Sequence, residues 1–121
     1  MVEPVVPQVA SVVINAADHD RLVEFWKELL QVEIARSFAP YFTWLEPQAE
    51  GGISVAIQAV PDPTPGRNRL HLDTWVADSA GAVERILGLG GSLVEEHDMG
   101  GFQWKVMADP EGNEFCIAAA H

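Results

Sequence analysis

The sequence predicts an α+β protein built from two βαβββ modules in tandem. Three observations point there. A weak pattern recurs at a spacing of 60 positions. Each copy opens on an alternating apolar stretch that runs into a helical apolar stripe. A stretch rich in proline separates the copies.

In the first copy Val12, Ile14 and Ala16 share one strand face, and Ser11, Val13 and Asn15 the other. In the second, Leu72, Thr74 and Val76 oppose His71, Asp73 and Trp75. Asp18 and Asp78 follow, where a side-chain oxygen can cap the free amides of a helix start. Leu22, Phe25, Trp26, Leu29 and Leu30 then fall at i, i+3, i+4, i+7 and i+8, one stripe of a helix. The second helix is shorter, with Val83, Ile86 and Leu87 as its stripe and Gly88, Gly90 and Gly91 ending it. These glycines follow the helix, whereas a phosphate-binding loop needs them before it.

Three strands follow each helix. They are expected near Val32–Arg36, Phe42–Leu45 and Ile53–Val60, then near Ser92–Glu95, Gln103–Ala108 and Glu114–Ala118. Residues 61–69, PDPTPGRNR, read as a linker, because three prolines forbid a helix. DPEGN, residues 109–113, reads as a tight turn. One domain over 1–121 results, with module one at about 9–60 and module two at about 70–119.

Composition narrows the function classes. The net charge of -11 repels phosphate backbones, so nucleic acid is not an expected partner, and it favours cationic ligands. The bland meaning of such charge is solubility. No apolar run is long enough for a bilayer, and the N-terminal residues lack a signal-peptide pattern. A single cysteine, Cys116, fits a reducing compartment, most simply the cytoplasm.

LVEFWKELL in the first helix, ADPEGNEFCIA at the end and NRLHLDTWV at the start of module two carry a family likeness, together with the repeat. The chain resembles the glyoxalase/bleomycin-resistance (vicinal oxygen chelate) superfamily, in its glyoxalase-like branch, from about Val9 to Ala118. The resemblance implies curled mixed sheets around a cavity, with helices outside. It also implies, for the metal-dependent relatives, four ligands taken from the first and last strands of each module. Carried onto this chain those positions are Ser11, Gln58, His71 and Cys116. A serine and a glutamine are poor substitutes for the imidazole and carboxylate that a hard divalent metal requires. Asp73, on the strand face of His71, is the one added donor. The expectation is therefore no metal and no other cofactor.

Other readings of the same residues stay open. His71 with Asp73 is either a proton-transfer pair or a hydrogen-bonded pair in a cavity. Cys116 is read as a small buried hydrophobe, since its sequence neighbours would not activate a thiol. Trp75 is either a pocket wall or core, and the facing of Trp44 and Trp104 is left undetermined. Trp26 is core. His19, His97 and His121 are read as cap, loop and tail residues.

Three functions follow in order. The first is metal-independent binding of a small organic molecule, an organic cation above all, by Ser11, Asn15, Gln58, His71, Asp73, Trp75 and Cys116. The second is a metal-dependent lyase, isomerase or dioxygenase with an atypical ligand set. The third is a metal-free enzyme using His71 and Asp73. The resemblance further implies a homodimer.

Overall fold

The computed structural model describes residues 9–65 and 71–119. The second half of the proline-rich linker, Leu70 and His121 lie outside these. The elements run β1 (Ser11–Ala16), α1 (His19–Leu30), β2 (Ile34–Phe38), β3 (Phe42–Leu45), β4 (Ser54–Ala59), β5 (Leu72–Val76), α2 (Ser79–Gly88), β6 (Ser92–Met99), β7 (Phe102–Ala108) and β8 (Glu114–Ala119). Two mixed four-stranded sheets result, ordered β1-β4-β3-β2 and β5-β8-β7-β6. In each, the first strand of the module runs parallel to the last. The paired βαβββ architecture is thus as the sequence predicts.

The caps form as the aspartates imply. Asp18 Oδ1 accepts the Arg21 amide at 3.3 Å, and Asp78 Oδ1 the Gly81 amide at 3.0 Å. The stripe of α1 buries Leu22, Phe25 and Trp26, with Leu29 and Leu30 packed at its margin. Trp26 reaches into module two. Its ring lies edge-on to Phe115, centroids 4.9 Å apart, and its Nε1 donates to buried Asp109 at 3.0 Å. One core cluster therefore contains Ile14, Leu45 and Ile57 of module one with Ile86, Met107, Phe115 and Ile117 of module two.

Four local expectations change. Strand β2 begins at Ile34 rather than Val32, because the Val32 amide still bonds back to Lys27 O at 3.2 Å and belongs to the helix-ending turn. Strand β6 runs on to Met99, beyond Glu95. Gly100 and Gly101, both at positive φ (62° and 89°), make a two-residue hairpin turn that keeps β6 paired with β7 to its end. His97 consequently sits within a strand, not in a loop. Leu87 is 49% exposed, since one step of about 100° past Ile86 carries it off the narrow apolar stripe of α2.

Candidate functional site

Ladder register decides which side chains share the sheet faces away from the helices. In sheet two, Asp73 pairs with Cys116 and Trp75 with Ala118. Ala118 pairs in turn with Trp104, and Trp104 with His97. Paired residues of neighbouring strands point the same way. Asp73, Trp75, Cys116, Trp104 and His97 therefore belong to one surface, Trp104 acquires the facing that its own strand leaves open, and His71, just before β5, lies beside Asp73 and Cys116.

Within that surface His71 Nε2 lies 3.1 Å from Asp73 Oδ1, with side chains 51% and 75% exposed. A nitrogen of His71, a carboxylate oxygen of Asp73 and Cys116 Sγ all lie within 4.8 Å of one another. Trp75 is 63% exposed. Trp104 stacks on His97, ring centroids 4.8 Å apart, and His97 Nε2 is 2.7 Å from Glu95 Oε2. A cavity of about 360 Å3 is lined by His71, Asp73, Trp75, Phe102, Trp104 and Cys116, with Ala118 beneath the indoles.

A second cavity, of about 790 Å3, lies between the first strands of the two modules. Ser11, Val13, Asn15, His71 and Glu114 are among its walls. His71 thus belongs to both. Of the residues expected at the site, the structure brings Ser11, Asn15 and His71 to the larger cavity and His71, Asp73, Trp75 and Cys116 to the smaller.

Gln58 lines neither of these cavities. It pairs with Asn15, four residues along β1 from Ser11. Cys116 pairs instead with Asp73, only two residues along β5 from His71. The register counterpart of Cys116 in module one is therefore Ala56, opposite Val13. A metal shared between the modules through four side chains does not fit this chain. Ser11 is its only oxygen donor at those positions of module one, and Ala56 offers none.

The corresponding face of sheet one is aromatic and basic. Trp44 packs against Phe42 and Phe38 at centroid distances of 4.2 and 6.0 Å, and the Arg36 guanidinium sits 4.9 Å over the Phe38 ring. Trp44 pairs with Ala56, on the face carrying Val13, so it too points away from α1.

His19, expected as a cap residue, stands instead one position inside the helix, the cap being Asp18. It opens α1 and is buried, with Nδ1 2.7 Å from Asp20 Oδ1 and Nε2 2.9 Å from Thr43 Oγ1. This contact ties the helix start to β3, on the packed side of sheet one. Its only signal in the sequence was position: a first-turn residue three before Leu22 falls on the edge of the apolar stripe. For His97 the signal was the Gly-Gly pair that marks a hairpin.

A family profile described as a glyoxalase-like domain matches residues 11–118. No curated protein sequence matches the chain. Solved structures with the same fold include a glyoxalase-related enzyme from Fulvimarina pelagi, at 20% identity and TM-score 0.75, covering 95% of this chain and 89% of that one. The fosfomycin resistance protein FosX of Listeria monocytogenes is 16% identical with TM-score 0.78, over 98% of this chain and 93% of its own. Its E126Q mutant is complexed with Mn(II) and 1S,2S-dihydroxypropylphosphonic acid. Lactoylglutathione lyase from Agrobacterium tumefaciens is 15% identical with TM-score 0.67, over 93% of each chain.

Proposed function

The chain belongs to the glyoxalase-like domain family, and from that premise we propose that it binds a small organic cation on the open face of sheet two. The supporting observation is a cavity lined by two indoles. Trp75 and Trp104 rise from strands two apart, about 9.6 Å at ordinary strand spacing. Small Ala118 lies between them. A flat group sandwiched by two rings needs roughly 7–8 Å, two van der Waals contacts. The space therefore admits one, with Asp73 at its margin to meet a positive charge. At about 360 Å3 the cavity falls at the small end of the ligand-pocket range, about 300–1,000 Å3.

Grip by aromatic faces and a carboxylate requires no metal. The test is a thermal-shift screen of flat organic cations, matched neutral analogues and small ketones, because a ligand of the native state raises its melting temperature. Cations that stabilise the protein and lose that effect in Trp75→Ala support the reading. Equal stabilisation by neutral analogues removes the electrostatic part of it.

The contact of His71 Nε2 with Asp73 Oδ1 favours a second reading, proton transfer by a metal-free enzyme. Asp73→Asn would then depress turnover of a hit from the screen while leaving its binding nearly intact. A homodimer and a cytoplasmic location complete the proposal. The exposed apolar side chains Val13, Phe38, Trp75 and Phe102 support the first, and the lone thiol Cys116 the second.

A further inference from the structure

We infer that His71, Asp73 and Cys116 form a mononuclear site for a thiophilic dication of the zinc class, built on sheet two alone. The three donor atoms lie within 4.8 Å of one another. Two ligands on a tetrahedral ion, with bonds of about 2.0–2.1 Å, stand roughly 3.3 Å apart. The His71 Nε2 to Asp73 Oδ1 distance of 3.1 Å is already close to that edge. A thiolate bond of about 2.3 Å lengthens the edge from sulfur to nitrogen to roughly 3.6 Å. Cys116 Sγ must therefore approach by little more than 1 Å at most, within reach of side-chain rotation on fixed strands (~1 Å).

The backbone holds two of the three in place. Asp73 and Cys116 are ladder partners on adjacent strands, and His71, in the residue just before β5, reaches them from its start. Rigid strands are a better platform for a coordination set than loops. Donor chemistry selects the ion. Sulfur and imidazole suit zinc and its thiophilic neighbours, whereas magnesium, calcium and manganese prefer sets of oxygen ligands. Three protein donors leave a fourth position open toward the cavity of about 360 Å3. His71 and Asp73 are exposed, so an ion can enter, and the net charge of -11 raises the local concentration of dications.

This site draws nothing from module one, where Val13 and Ala56 occupy the counterparts of Asp73 and Cys116. It rests on the same cavity as the proposed organic site and shares Asp73 with it, but it uses neither indole. The two occupants are therefore expected to compete, and separate variants distinguish them.

The test is calorimetric titration of chelator-stripped full-length protein with zinc chloride, alongside titration with cobalt(II) followed by absorption. We expect one ion per chain and a sulfur-to-cobalt charge-transfer band in the near ultraviolet. Cys116→Ser should lose the band and weaken zinc binding by roughly a hundredfold, and His71→Ala should weaken it comparably. Trp75→Ala should leave zinc affinity unchanged. Melting curves of the metal-free variants check that each is folded. Absence of zinc binding to folded wild-type protein, a cobalt complex without the thiolate band, or unchanged affinity in Cys116→Ser would each overturn the inference. The organic reading fails separately, if cations stabilise Trp75→Ala as well as wild type.

Discussion

Asp73 carries the electrostatic part of the proposed organic site, and its exposure sets how much that part contributes. A buried carboxylate facing a bound cation contributes about 2 kcal/mol or more. With 75% of its side chain exposed, Asp73 is screened by water, so the scale falls to that of a surface ion pair, about 0.2–1 kcal/mol. Asp73→Asn should accordingly weaken a cationic hit by no more than about fivefold in calorimetry, and a neutral one hardly at all. Equal affinities for a cationic hit would remove Asp73 from the site. The alternation in β5 puts Asp73 and Trp75 on one face, and the structure agrees. Alternation carries no information about what the neighbouring strand places beside that face. For that reason Trp104 remained undetermined and His97 passed as a loop residue. Cys116, read as an inert hydrophobe from its sequence neighbours, is only half-buried and lies beside His71 and Asp73. Those neighbours are 43 to 45 residues away in the chain. Trp26 is the opposite case, since its place on a regular stripe makes its burial legible. Trp26→Ala should cost about 3–5 kcal/mol, and Leu29→Ala, at the core margin, nearer to about 1 kcal/mol. Urea denaturation of both variants checks the order, and a larger loss for Leu29 would contradict the packing described.

At the scale of elements, the turn 109–113 does more than reverse the chain. Asp109 is buried and accepts from the amides of Glu111 and Asn113, from Asn113 Nδ2 and from Trp26 Nε1. Its neighbour Glu111 accepts the amides of Ala17 and Asp18, at 2.7 and 2.6 Å, and so ties this turn to the β1–α1 junction of the other module. Asp109→Ala would strand the buried Trp26 Nε1 together with several part-buried turn donors and should destabilise by about 3 kcal/mol, at the upper end of the range for an unsatisfied buried group. Glu111→Gln keeps one acceptor and loses charge assistance, for about 1 kcal/mol. Thermal unfolding of the two variants distinguishes them, and a negligible effect of Asp109→Ala would mean that the turn is held by its backbone alone. DPEGN identifies the turn from sequence because the residues suit local backbone geometry. Its bonds to Trp26, Ala17 and Asp18 span more than 80 residues, and no local pattern encodes them. Gly91 is a related case. A Cβ there would come within 2.7 Å of Ala108 O and 2.6 Å of Ile86 Cγ2. Its role extends past ending α2 to allowing the following strand to pass beneath the helix.

Across the whole molecule, the repeat predicted two modules, and the shared core explains why they adhere: Trp26 of one packs on Phe115 of the other. What the repeat does not encode is how each module treats the face turned from its helix. Both modules place aromatics there with opposite charge, Arg36 beside Phe38 and Trp44 in module one, Asp73 and Glu95 near Trp75 and Trp104 in module two. The faces leave Phe38 at 51% and Trp75 at 63% exposure, each beside a further aromatic, Trp44 or Trp104, and it is such grouped apolar surface that marks an interaction site. Ligand energetics lead to the same point. Two exposed cation–π contacts and one screened carboxylate give about 1–3 kcal/mol together, whereas micromolar binding needs about 8 kcal/mol. Tight binding on this face therefore requires a cover that excludes water from the ligand. In the proposed homodimer a second copy presenting its complementary aromatic face would supply one, so affinity should follow dimer formation. The prediction is a dimer by light scattering at micromolar concentration, with the affinity of a cationic hit falling on dilution as the dimer dissociates. Phe38→Glu, a charge on the exposed rim of sheet one, should weaken both together while the melting behaviour of the separated chain stays near wild type. A 13.2 kDa particle at micromolar concentration that binds the same cation tightly would show that one chain covers its own ligand, and the complementary faces would then need another explanation.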